Sequence, residues 1–171
     1  MLMPPAVRKA ALALHVITSV GWIGAAGAYL ALGVAAGASH QPPTVRAAWI
    51  GMELLGWLVL VPLGVLALLT GLVMSLGTLW GLIRHYWVLL ALILTSFALV
   101  VLLLHMPSVT AAAAVAREGA DPAVLQLGDD VLHPAGGLLV LIVVAVLNLY
   151  KPRGLTPYDQ RSRKKSERPS Q

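Results

Sequence analysis

The chain has 171 residues, of which 58% are hydrophobic and only 11% charged, with a mean hydropathy of +0.84. A soluble domain carries about 25% charged residues, so this composition excludes an ordinary soluble domain and points to an all-α polytopic membrane protein. Cysteine is absent, which excludes disulfides, thiolate metal sites and cysteine nucleophiles. The net charge of +5 has a local origin: seven of the twelve basic residues follow Tyr150, in a tail beside an apolar helix. Anionic lipid headgroups, not nucleic acid, are the expected partner of that tail.

In chain order, Met1 to Lys9 is a short lead with two prolines and a basic pair. The apolar run that follows, residues 10–38, is about twice the 7–15-residue core of a secretory signal, so a retained transmembrane helix is expected. His15, Thr18, Ser19, Trp22, Ala26 and Tyr29 share one face of it, as expected of a stripe packed inside a bundle. Gly21, Gly24 and Gly27 suggest close approach by another helix.

Residues 37–44 read as a turn containing two prolines. A second helix is predicted over 47–77, with Glu53 near its start and Pro62 at a possible kink. Trp57, Gly64, Gly71 and Thr78 recur every seven residues along it, like a close-packed seam. Trp80, Tyr86 and Trp87 suit an interfacial aromatic belt. The third helix, 86–106, is the clearest span: nineteen uncharged residues separate His85 from His105. As a helix, these histidines stand roughly 30 Å apart, the thickness of a bilayer's hydrocarbon core. Residues 107–130 read as the longest loop, with a short surface helix supported by its alanines and acids. The fourth helix is predicted over 134–150, with Asp130 or His133 as its cap. Residues 1–150 thus form a four-helix transmembrane domain, and 151–171 a basic tail, disordered beyond about Asp159.

Four spans put both termini on one side. Ten basic residues lie on that side and only Arg46 and Arg117 on the other, so both termini are expected in the cytoplasm of a cell with a plasma membrane of the bacterial type.

This topology sorts the polar groups by depth. His15 and His85 fall near the cytoplasmic face. His105, Met106, His133 and Glu53 fall near the outer face, with Asp129 and Asp130 just beyond it and His40 in the first loop. His15 and His105 are therefore too far apart to share one ion. His105 and His133, on consecutive antiparallel helices, are placed to ligate a haem b iron from both sides, or to hold copper or another transition metal together with Glu53 or an aspartate. Both histidines also sit at helix ends where water is within reach. Glu53 reads equally as a ligand, a proton acceptor, or a carboxylate reaching the headgroups. No phosphate-binding glycine loop, HExxH or nucleophile elbow is present, and no catalytic residue follows from the sequence.

The segment HVITSVGWIG, from His15 to Gly24, resembles the first-helix motif of a broad group of bacterial membrane proteins. The group includes the CopD-type copper-resistance proteins, the HemJ-type protoporphyrinogen oxidases, and the four-helix proteins collected as domain of unknown function 2269. Thr70–Gly71, Trp87 and the count of four spans are similar too, and KPRGLTPY (Lys151 to Tyr158) resembles the closing signature of small actinobacterial membrane proteins. The resemblance implies haem at His15, as in HemJ-type proteins, or copper handling, as in CopD-type ones. In many relatives a lysine follows the third-helix tryptophan; Val88 to Ala91 here departs from that pattern. The expected function is a small membrane protein that binds haem or a transition metal through His15, or through His105 and His133, in electron transfer or cofactor handling. The alternatives are a non-catalytic subunit or assembly factor packed against a partner subunit or another copy, and a small transporter coupled through Glu53.

Overall fold

The computed structural model describes residues 3–77 and 85–152; Thr78, Trp80, Arg84 and the basic tail beyond Pro152 lie outside the described residues. Among the described residues six α-helices follow one another: α1 (Pro5–Ala38), α2 (Pro42–Leu55), α3 (Val61–Leu76), α4 (Tyr86–Glu118), α5 (Asp121–Leu125) and α6 (Leu132–Tyr150). Helices α2 and α3 are one continuous rod joined by a π-helical turn, Gly56–Leu60. The result is an all-α bundle in which four helices, Pro5–Ala38, Pro42–Leu76, Tyr86–Glu118 and Leu132–Tyr150, are long and apolar enough to cross a membrane.

The first stripe does face inward: Thr18, Trp22, Ala26, Tyr29, Gly33 and Ala36 are the buried residues of α1. Its large members sit opposite small ones. A Cβ on Gly71 would meet His15, one on Gly64 would meet Trp22 and Leu99, and one on Gly56 would meet Met106 and Tyr29. His15, Trp22 and Tyr29 thus find room on the α2–α3 rod because glycines stand across from them, the small-residue packing that membrane helices use in place of a hydrophobic drive. Of the three glycines expected to admit a neighbour, Gly21 lies against Leu63, while Gly24 and Gly27 face open space; the tightest approaches on α1 are at Gly33 and Gly37.

The seven-residue seam of the second span is interrupted at Trp57, which is 42% exposed and donates its indole N–H to Thr110 Oγ1 at 3.0 Å. The π turn explains this. Val61 N–H bonds back to Gly56 O, one residue farther than in an α-helix, and Pro62 just after it has no N–H to give. The extra residue rotates Gly56, not Trp57, into the bundle.

Helix α4 does not end at Met106. It continues through Pro107 to Glu118, so most of the expected loop is helix. Tertiary packing explains the difference: Val109, Ala113 and Ala116 are fully buried, and the alanine run favours helix once the missing Pro107 N–H is accommodated. Arg46 fixes the far end, donating to the Ala116 and Gly119 carbonyls at 2.6 and 2.7 Å and to Asp121 at 2.8 Å, a cationic cap on the negative pole of α4. The short surface helix expected from the alanine run does not form separately, because those alanines belong to α4; α5 is a single short turn that contains Asp121 and buries Val124.

At about 1.5 Å per residue, α1, the α2–α3 rod and α4 are each about 50 Å long, whereas α6 is about 28 Å, near the roughly 30 Å of a hydrocarbon core. Three helices therefore outrun the fourth. Their surplus at the His105 end forms a cap of α2, the last turns of α4, and α5. Met52, Met106, Val45, Val109 and Val124, the largest fully buried side chains, all belong to it. Trp87, assigned to an interfacial belt, is buried instead, while Tyr86 is exposed.

The glycine–aromatic packing gives a direct test. Gly64→Leu should destabilise the bundle by about 1–3 kcal/mol through overpacking against Trp22 and Leu99. In thermal unfolding of detergent-solubilised protein this appears as a lower Tm, and an unchanged Tm would show that the contact is slack.

Candidate metal centre

At the junction between the membrane-length part of the bundle and its cap, three helices and one loop converge on Asp130. The sequence determines how. Asp130 lies between α5 and α6, beyond Gly128, whose φ of +72° suits glycine and turns the chain back toward α1. The returning strand of backbone settles on Gly33 and Gly37: a Cβ on Gly33 would overlap the Asp130 carbonyl, and one on Gly37 would strike the Asp129 side chain. This pair of glycines, one helical turn apart, is what admits the loop.

So seated, Asp130 is only 5% exposed. Tyr29 O–H of α1 donates to its Oδ2 at 3.0 Å, and His105 Nε2 of α4 lies 2.7 Å from the same oxygen. His133 Nδ1, on the first turn of α6, stands 3.6 Å from Oδ1. The His105 and His133 rings stack, with centroids 4.0 Å apart and planes inclined by 16°, so that both turn a nitrogen toward one carboxylate. Among the described residues this is the group whose ligand atoms all lie close together, within 4.8 Å, as a single ion requires. A carboxylate is acceptor-only when ionised, so the short contact places a proton on His105 Nε2. Burial pushes the Asp130 carboxyl up, but the hydrogen bond and charge of His105, together with Tyr29 and His133, outweigh it and hold it below the ordinary carboxylate range.

The chemistry of the set suits a borderline transition metal: two imidazoles and one carboxylate. Tetrahedral bonds of roughly 2.0–2.2 Å put ligand atoms roughly 3.3–3.6 Å apart, a spacing near that of His133 and Asp130. Tyr29 would then hold the carboxylate as an outer partner. Haem b does not fit between the histidines as they stand. Axial ligation from both sides needs a macrocycle between the rings, and stacked rings leave no such gap.

Of the residues expected to act here, His105 and His133 are brought together. Glu53 is not; its carboxylate is paired with Arg117 in the cap. The position considered for it is filled by Asp130, which does not cap α6: the N-cap is Val131, without a side-chain cap, because the Asp130 carboxylate is turned inward. His15 lies at the other end, fourteen residues from Tyr29 and so about 21 Å along α1. Its Nδ1 is 3.0 Å from Thr70 Oγ1, which also lies 2.7 Å from the Leu66 carbonyl.

Tyr29, Gly33 and Gly37 were missed as site residues. Tyr29 was visible only as a member of the α1 stripe. Asp130 and His133, three residues apart, carried a recognisable local signal, but nothing in the pattern tied them to α1.

Two cavities lie end to end inside the bundle. One, of about 380 Å³, lies against Tyr29, His105 and His133; the other, of about 370 Å³, lies against His15, Ser19, Ser75 and Asn148. Trp22 and Leu141 border both and divide them. No family model, no curated protein and no solved structure matches the chain.

The depressed Asp130 pKa has a sign that can be checked. A folded value below the unfolded one gives stability that is present above the ordinary carboxylate pKa and lost as pH falls through the folded value. In chelator-treated protein, wild type should therefore exceed Asp130→Asn in Tm at pH 7, and the gap should narrow below about pH 4. A gap independent of pH would show that the carboxylate's charge contributes nothing.

Proposed function

We propose that this chain is a multi-pass membrane protein that binds a divalent transition-metal ion, copper or zinc by ligand chemistry, through His105, Asp130 and His133. The observation that carries this reading is the convergence of two imidazole nitrogens on one buried carboxylate. A buried charge needs partners, and here among the described residues neither lysine nor arginine is paired with Asp130; the imidazoles and Tyr29 surround it. A divalent ion would neutralise the carboxylate and satisfy both rings. Ligation needs the Nε2 lone pair, so uptake of the ion would displace the proton that His105 Nε2 presents to Asp130. Handling of the metal at the membrane, as in the CopD-type proteins the first helix resembles, is the role this supports.

On the charge distribution, with ten basic residues at the end that carries the termini, the His15 end faces the cytoplasm and the metal site faces outward, in a bacterial plasma membrane. The basic tail then lies against anionic lipid.

Titration of purified protein with cobalt(II), a coloured stand-in, or copper(II) should show one site. His105→Ala, Asp130→Asn and His133→Ala should each weaken it by at least about tenfold, while Glu53→Gln and His15→Ala leave it unchanged. Equal affinity in all five variants would remove the site. For the topology, a reporter fused after Gln171 should be active only as a cytoplasmic fusion.

A further inference from the structure

The cavity beside the metal centre differs in character from the centre itself. One end is polar, formed by Tyr29, His105 and His133; the rest of its wall is apolar, including Trp22, Phe97 and Leu141. Its rim includes Phe97 and Leu132, which are 59% and 81% exposed, so the cavity opens sideways between α4 and α6, at a depth where a bilayer would surround it. Gly136 and Gly137 of α6 also line it, and a Cβ on either would meet nothing within 4 Å. An alanine at either position would leave this space open, whereas a long side chain such as leucine would reach into it.

Size, shape and chemistry together select an occupant. A volume of about 380 Å³ is at the lower end of the range for small-molecule sites, about 300–1,000 Å³. Access from the side, through apolar residues, selects a molecule dissolved in the membrane rather than in water. Trp22 and Phe97 offer aromatic surface to a flat ring. The polar end offers imidazoles, each of which in its neutral form has one N–H donor and one lone pair. Such groups serve a carbonyl and a hydroxyl equally well.

We infer that this cavity is a binding site for the head ring of a membrane-soluble quinone or its quinol, with the ring between Trp22 and Phe97, an oxygen at His105 and His133, and the tail leaving between α4 and α6. The site goes beyond the metal reading and does not depend on it, since the apolar wall and the imidazoles are present with or without an ion.

The test uses full-length protein in phosphatidylcholine nanodiscs, titrated with decylubiquinone while tryptophan fluorescence is followed. Binding next to Trp22 should give a saturable quench with one site per chain, and Trp22→Phe should remove most of the saturable part. Gly137→Leu and Ala98→Leu fill the cavity from opposite walls, and each should raise the apparent Kd at least about tenfold. Both should leave the cobalt(II) titration unchanged, which also reports that the variant is folded. Should one variant fail to fold, the other carries the test. A quench that never saturates and is the same in both variants means partition into the bilayer alone, and overturns the proposal. Displacement of decylubiquinone by oleate at equal concentration also overturns it, because the cavity would then be an acyl-chain site. Loss of cobalt(II) binding with the quench intact would remove the metal reading only.

Discussion

A buried carboxylate with imidazoles and a phenol for company is the constraint around which this molecule is arranged. Asp130 is reached by α1 through Tyr29, by α4 through His105 and by α6 through His133. Each contact comes from a different span, so the relative height of three helices is set by one side chain. Membrane helices slide past one another at little cost in van der Waals contact. A polar group that must be satisfied in a poorly hydrated interior resists that sliding far more strongly.

The cap above it holds the carboxylate in place. Three spans outrun the membrane-length part of the bundle, and their surplus is packed like a small soluble core around Met52, Met106 and Val109. Arg46 ties the end of α4 to α2 and α5, and Glu53 is used in the same way against Arg117. These charges are therefore accounted for by the architecture. In the group beneath them, two imidazoles and a phenol surround one buried carboxylate.

The bundle itself was legible in the sequence because hydrocarbon demands long apolar helices, and composition records that demand. The inward stripe of α1 was legible for the same reason that it works: period and residue size are both written locally. That His105 and His133 meet on consecutive antiparallel helices could likewise be read from their places in the chain. What could not be read depends on contacts between distant segments. Pro107 looked like a helix end, yet packing of Val109 and Ala113 carried α4 onward. Trp57 looked like part of a seam until the π turn added a residue. Glu53 and Asp130 were both acids near the same end, and only the seat made by Gly33 and Gly37 determines which of them meets the histidines.

The short length of α6 ties the site to the membrane itself. With only about 28 Å, it has no surplus with which to absorb a change in bilayer thickness, whereas its three neighbours run on past the boundary. A thicker bilayer would draw Leu132 and His133 toward hydrocarbon, and a thinner one would leave them in the headgroups. His105 and Tyr29, anchored on the long helices, would stay where they are. Lipid composition therefore acts on one side chain of the three around Asp130, and the geometry there becomes a gauge of the membrane that holds it.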